Sequence, residues 1–355
     1  MKITVLSRYG RLGASSRLRM MQYFPRLEAE GLVVAHHQLL DDSYLRARYA
    51  NRRAYLSIMK GYLGRVGAIL ESRGHDVIWI EKDALPWVPL AVESMLLSRR
   101  VPVVIDIDDA VFHRYDLNRN RLIKRVLGRK LDRLMQRSNV VMAGSEYLAE
   151  RARAAGCEWV ERIPTVVDLR RYPREPKKSS GRSRIVIGWI GSPATVHYLD
   201  ALTPVLSALV ERHSIRCIAV GARPDQVEKT PFEAVTWTED KETQVLQEMD
   251  IGIMPIPDGP WERGKCGYKL IQYMACRVPV VGSAVGANRD IVTEGLTGFL
   301  AETDSDWRSR LEELIENPDQ RRRMGDEGRR VVEQEYCLEV LAPRVSALLK
   351  KAAGV

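Results

Sequence analysis

The chain has 355 residues, 45% hydrophobic and 28% charged, a soluble composition with enough apolar mass to fill the cores of two domains. No run approaches the about 20 apolar residues of a membrane-spanning helix, and the opening MKITVLSRYG suits a first β-strand rather than a signal peptide, so a cytoplasmic protein is expected. The formal charge of +9 is uneven: residues 1–165 hold 28 Lys and Arg against 18 Asp and Glu, whereas residues 166–355 hold 27 against 28. Five scattered cysteines, Cys157, Cys217, Cys266, Cys276 and Cys337, lack C-x-x-C spacing, which argues against a disulfide framework and against structural zinc.

In chain order, strand-like runs at 3–6, 77–80, 103–107, 140–143 and 160–163 alternate with helical stretches, the signature of a parallel sheet covered by helices. Ligands bind beyond the carboxyl ends of such strands, so the loops there are where chemistry is sought. The loop 7–19, SRYGRLGASSRLR, carries two glycines, three serines and four arginines. Gly13, Ser15, Ser16 and Arg17 could seat a phosphate of donor or acceptor, the alternative being a loop whose arginines are solvated. The loop does not spell G-x-G-x-x-G, so nicotinamide binding has little support. Glu81 and Lys82 follow the strand 77–80 in a similar position. The loop 106–113, DIDDAVFH, gathers Asp106, Asp108, Asp109 and His113. Carboxylates this close need cations or hydroxyls among them. A helix N-cap is the plainer role for one of these aspartates.

Two basic segments interrupt this series. Residues 44–70 have six Lys or Arg, four Tyr and no acid, and 119–137, RNRLIKRVLGRKLDRLMQR, has eight basic residues against Asp132 alone. The second reads as one helix, with Leu122, Val126, Leu127, Leu131, Leu134 and Met135 forming apolar stripes in a cationic shell. Peripheral docking on an anionic membrane, each near-surface charge contributing ~1 kcal/mol, and an ordinary core helix with a solvated basic face both remain open. No helix-turn-helix, RNP or zinc-finger pattern accompanies the charge, so nucleic acid is not an expected partner.

The polar stretch 173–183, PREPKKSSGRS, reads as a linker, after which strands at 185–190, 217–220, 234–237, 251–254, 278–281 and 298–300 make a second series. Helices are expected at 307–316, 318–335 and 338–351. The domains expected are therefore 1–172 and 184–335, with a terminal helix over 336–355. The loop 191–197, GSPATVH, opens a helix with Gly191, Ser192 and Thr195. Residues 259–300, GPWERGKCGYKLIQYMACRVPVVGSAVGANRDIVTEGLTGFL, are the most informative part of the chain. A Pro/Gly loop becomes helix near Gly267, and a helix start presents free N–H groups and a positive dipole end. Lys265 and Lys269 add two full charges there, a combination suited to a diphosphate. Tyr268 and Gln272 lie on that helix, and Asn288 and Arg289 in the next glycine loop. Cys266 reads as a small residue in a tight loop rather than a nucleophile.

Residues 259–300 resemble the donor site of glycosyltransferase family 4, retaining enzymes of GT-B fold in which a Glu, seven residues and a second Glu precede Ala-Met-Ala. Here QYMA puts Gln272 at the second Glu and Gly264 at the first, with Glu262 and Lys265 on either side. Residues 142–172 and 184–199 resemble, in the same order, the end of that family's first domain and the opening of its second. The resemblance implies two doubly wound, Rossmann-like α/β domains facing a cleft, with the last helix returning to the first domain. It implies a nucleotide-sugar donor in the second domain and a saccharide or lipid-linked saccharide acceptor in the first. The reaction implied is glycosyl transfer with retention, in the biosynthesis of cell-surface polysaccharide or glycoconjugate. No metal and no further cofactor is implied, because positive groups stabilise the leaving diphosphate in this fold, although Asp106-x-Asp108 has the spelling of a GT-A metal motif. In such a fold the loop 106–113 faces the cleft and orients donor or acceptor hydroxyls, and residues 283–290 resemble the segment that approaches the donor, with Asn288 and Arg289 as contacts. Lys265, Lys269, Asp106 and Asp109 are the catalytic candidates, and Gly191, Ser192, Gly267, Tyr268, Gln272 and Asn288 the donor-binding ones. The departures at Gly264 and Gln272 keep two rivals open, a nucleotide-sugar epimerase and a glycosyltransferase-like protein that binds without catalysis.

Overall fold

A computed structural model describes residues 1–50, 52–98, 100–173, 175 and 184–355, so most of the expected linker lies outside the described residues. The chain forms two compact units, the first comprising Met1–Val166, Arg263–Cys266 and Leu338–Val355, the second Val167–Glu262 and Gly267–Cys337.

The first unit is built on a six-stranded parallel sheet of β1 (Lys2–Tyr9), β2 (Val33–Leu40), β3 (Val77–Glu81), β4 (Val103–Ile107), β5 (Val140–Ala143) and β6 (Val160–Arg162), in the order β2-β1-β3-β4-β5-β6. Five of these are the expected runs. The sixth, β2, was not anticipated: it lies at the sheet edge with the sequence VVAHHQLL, and only its last two residues are buried, so it lacks a continuous apolar run. The terminal helix Leu338–Ala353 buries Leu338, Leu341, Ala342, Val345 and Leu349 in one cluster with Ile3, Val77, Trp79, Val104 and Val140. The expected single helix over 119–137 is instead two, Arg121–Leu127 and Lys130–Arg137. Leu127, Leu131, Leu134 and Met135 pack inward while Leu122 and Val126 stay 68% and 49% exposed. Lys130 does not belong to a cationic shell, because buried carboxylates described below hold it inside.

The second unit has a separate six-stranded parallel sheet of β7 (Ile185–Ile190), β8 (Ile215–Val220), β9 (Phe232–Val235), β10 (Ile251–Met254), β11 (Val280–Ser283) and β12 (Gly298–Ala301), in the order β12-β11-β10-β7-β8-β9. Two strands sit two residues away from their expected places. The Val278 N–H closes onto the Tyr273 carbonyl at 3.0 Å, so strand pairing starts only at Val280. The Trp237 indole donates to Glu242 at 2.8 Å, beyond the end of β9. Helix Tyr268–Ala275 is seated by Tyr273, whose hydroxyl accepts the Ile190 N–H at 2.9 Å and donates to the Ile253 carbonyl at 3.2 Å, tying β7 to β10. The helices Asp304–Glu316 and Pro318–Glu335 run where the sequence places them. Among the described residues no helix is long and apolar enough to cross a membrane.

Candidate functional site

In each sheet the winding reverses at one point, between β1 and β3 in the first unit and between β7 and β10 in the second, and the sequence-predicted residues lie at the carboxyl ends of those strands and of the neighbouring β4 and β11.

In the first unit these loops converge on one buried charge network. Glu81, 1% exposed at the end of β3, accepts the Arg8 N–H at 2.7 Å and the hydroxyls of Ser15 and Ser16 at 2.9 and 2.5 Å. The two serines read as a phosphate seat are thus drawn inward by a carboxylate. Gly13 starts the helix Ala14–Arg19, and the buried Arg17 guanidinium donates to the Arg11 carbonyl at 2.9 Å. Lys82 has a left-handed φ of 68°, and its ammonium lies 2.9 Å from Asp108, 3.6 Å from Glu81 and 3.7 Å from Asp109. Burial disfavours that charge, but Asp108, Glu81 and Asp109 outweigh it and raise the Lys82 pKa.

Asp106 is gripped by the Arg19 guanidinium at 2.8 and 3.1 Å; burial, opposed by Arg19, brings its carboxyl to about 6. Asp108 faces Lys82 and the Ser15 hydroxyl instead, so Asp106 and Asp108 do not converge on a common cation. Among the described residues no group of three His, Cys, Asp or Glu is placed to hold a metal. Asp109 keeps 30% of its side chain exposed, and burial and Asp108 raise its pKa against the pull of Lys82 and Lys265. Of the two aspartates proposed to face sugar hydroxyls, Asp109 is therefore the accessible one. His113 is anchored on both sides, 2.8 Å from Asp116 and 2.9 Å from the Tyr147 hydroxyl. The Cys266 thiol donates to the Asp108 carbonyl at 2.9 Å, and burial pushes its pKa up, which removes it as a nucleophile.

A second buried network adjoins the first and was not seen in the sequence. Asp83 receives Arg8 at 2.6 Å, Lys130 at 2.9 Å and the Tyr115 hydroxyl at 3.1 Å, and Lys130 also lies 2.8 Å from Glu93. Nothing in the local pattern around Lys130 distinguishes it from its exposed neighbours Arg129 and Arg133.

In the second unit, loop becomes helix at Gly267, which has φ 63°, a left-handed conformation that a side chain would strain; a Cβ there would also overlap Ile291. The Lys269 ammonium stands 4.2 Å over the Trp189 ring at the end of β7, beside Gly191. Lys265 and Lys269 are both half-buried rather than fully exposed, and Lys265 falls in the segment Arg263–Cys266 that packs with the first unit. Ser192 is exposed at the start of the helical turn Pro193–Leu202 and makes no side-chain cap. Asn288 is 1% exposed and donates to the Ser283 carbonyl at 2.9 Å, so its amide braces the loop. Gln272 is 4% exposed and hydrogen-bonds the Tyr172 side chain. Arg289 pairs with Glu302 at 2.8 Å. Glu262 accepts the Tyr198 hydroxyl at 2.6 Å. Gly191, Ser192, Tyr268 and Lys269 thus keep some exposure, whereas Gly267, Gln272 and Asn288 are buried.

Residues 184–317 match the family described as Glycosyl transferases group 1. An uncharacterized glycosyltransferase of Methanocaldococcus jannaschii is 35% identical over 65 residues, a match spanning 18% of each chain. HepE of Anabaena, solved with UDP and glucose, superposes with a TM-score of 0.73 at 16% identity, covering 99% of this chain and 100% of that one. WaaG, described as a glycosyltransferase involved in lipopolysaccharide biosynthesis, gives a TM-score of 0.71 at 12% identity over 98% and 99% of the two chains. The two parallel six-stranded sheets are those of the GT-B fold, and the stretch similar to the glycosyl transferases group 1 family lies, apart from Arg263–Cys266, within the second unit.

Proposed function

We propose that the protein transfers a sugar from a nucleotide diphosphate, a UDP-sugar first among the candidates, to a saccharide or lipid-linked saccharide. The observation that carries this reading is the helix start at Gly267 with the Lys269 ammonium fixed over Trp189 at the winding reversal, within the stretch similar to the glycosyl transferases group 1 family. When the bond from the anomeric carbon to the diphosphate breaks, the electron pair leaves with the diphosphate. Preorganised N–H groups and a lysine stabilise that charge in the transition state more than in the ground state. In the first unit Asp109, beside the Lys82 ammonium, is the group available to orient an acceptor hydroxyl. Transfer proceeds with retention, and since no side chain of the described site stands as an activated nucleophile, it is driven by positioning and charge rather than through a protein-bound sugar. Positive groups at the diphosphate replace a metal. The setting proposed is cell-surface polysaccharide or glycoconjugate synthesis, on the cytoplasmic side of the membrane.

A thermal-shift screen against UDP, GDP, ADP, dTDP and their sugars tests the donor; ligand a hundredfold above its dissociation constant adds about 2.7 kcal/mol. Release of free nucleotide, slow without acceptor and fast with it, marks a transferase. An epimer released with no acceptor present would point to epimerase chemistry, and binding without turnover to a non-catalytic protein, the reading that buried Gln272 and Gly264 in place of two Glu residues would favour. No stabilisation by any nucleotide would overturn the proposal.

A further inference from the structure

The helix Tyr55–Glu71 is apolar on two faces. Its inner face is fixed to the first unit: Arg65, Ala68 and Ile69 are buried, and the Arg65 guanidinium donates to the Ser7 carbonyl. The Tyr62 hydroxyl donates to the Pro86 carbonyl at 2.7 Å. At Gly61 the helix comes so close to β2 that a Cβ would overlap the Leu39 carbonyl. That seating leaves the outer face no freedom to turn inward. It carries Tyr55, Leu56, Met59, Leu63 and Leu70, which are 66, 71, 55, 67 and 43% exposed. At 100° per residue these five fall within an arc of roughly 100°, the width of the stripe by which a globular helix normally faces a core. Here the stripe faces outward.

The surroundings of the stripe are cationic. Arg46, Arg48, Arg52, Arg53 and Lys60 are all exposed, and residues 43–70 contain no Asp or Glu. We propose that this face is a docking surface for an anionic lipid bilayer, with the helix lying in the plane of the interface. Leu56, Met59 and Leu63 enter the headgroup and acyl boundary while Arg52, Arg53 and Lys60 reach lipid phosphates, the division of labour of an interfacial amphipathic helix. The charge pattern selects this occupant over a second copy of the chain. A two-fold contact through the same face would set one cationic rim against another, with only Glu71 at the end of the helix to offset the repulsion. The inference rests on the helix surface alone and does not depend on the transfer reaction.

The test uses the full chain and vesicles of phosphatidylcholine, with or without phosphatidylglycerol, read by flotation. The chain should float with phosphatidylglycerol vesicles at low salt, remain unbound to phosphatidylcholine, and lose at least tenfold in partitioning as salt rises past physiological strength and screening shortens. The double variant Leu56→Glu/Leu63→Glu should lose at least tenfold in binding, whereas Leu56→Phe/Leu63→Phe should retain it. Both should keep the melting temperature and UDP binding of the parent, because the substituted side chains touch solvent. Absence of binding to anionic vesicles at low salt would overturn the proposal, as would binding indifferent to Leu56→Glu/Leu63→Glu. A parent chain that is dimeric and becomes monomeric in that variant, with no vesicle binding in either, would assign the face to a second copy. Since UDP binding is read in the same samples, failure of the docking surface and failure of the transferase reading give different results.

Discussion

Replacing Lys130 by Met keeps the side chain's apolar length and removes only its charge, which makes it a clean probe of the buried network in the first unit. The Lys130 ammonium is inaccessible, 2.9 Å from Asp83 and 2.8 Å from Glu93, and it donates to the Leu85 carbonyl at 2.5 Å. Without it Asp83 retains Arg8 at 2.6 Å and the Tyr115 hydroxyl, but Glu93 retains only the backbone N–H groups of Ala84 and Leu85, at 2.9 and 3.4 Å. Removing one partner of a buried pair costs about 3–5 kcal/mol. Glu93 has a partial escape: burial already raises its carboxyl above the usual range, and in Lys130→Met it can fold as the neutral acid. Its folded pKa then lies further above the unfolded value, so the neutral form supports folding fully below the unfolded pKa, and that support is lost as pH rises through the folded one. The deficit of the variant should therefore be small near pH 4–5 and full near pH 8. At about 2–4 °C per kcal/mol for a domain of this size, the melting temperature of the first unit should fall by roughly 6–20 °C at pH 8 and by less than half of that at pH 5. Thermal melts of parent and variant across pH measure it. A deficit under about 1 kcal/mol at pH 8, or one that does not shrink on acidification, would refute the reasoning.

Lys269→Ala should weaken UDP binding by roughly 10- to 100-fold, the range of a lost charge-assisted hydrogen bond. It should lower the melting temperature by only a few degrees, because the contact with Trp189 is worth ~1 kcal/mol. Lys265→Ala should also weaken binding, and titrations unchanged in both variants would remove the diphosphate site. Activity in excess EDTA should equal that with magnesium or manganese, since Asp106 is held by Arg19 and Asp108 by Lys82; loss on chelation, restored by one metal, would reverse that expectation. His36 is held to about 4 by burial first and then by Arg65, with its ring 2.8 Å from the Ser7 hydroxyl. Its neutral form adds stability above pH 6.5, lost as pH falls toward 4, by about 2 kcal/mol once partial exposure is allowed for. In His36→Gln the fall in melting temperature between pH 7 and 4 should be correspondingly shallower, and an unchanged slope would show that His36 does not carry it.

The sequence by itself determined the two strand series, the terminal helix and the loop-to-helix change at Gly267. Strands buried on both faces must be continuous apolar runs such as VIWI and VVMA, and a left-handed helix start next to Pro and Gly leaves a local mark. It did not determine β2, whose edge position tolerates HHQ in the middle of a strand. Nor did it determine which charges stand inside. Asp106 meets Arg19 across 87 residues and Lys130 meets Asp83 across 47, and a periodicity window senses neither. Likewise Gln272 and Asn288 look like ligand contacts by place in the chain, and their hydrogen bonds to Tyr172 and to the Ser283 carbonyl are visible only in the fold. The physical reason is the same in each case. Apolar burial is encoded in local spacing, whereas a polar group removed from water takes whatever partner the tertiary structure brings within hydrogen-bond reach, however distant in the chain.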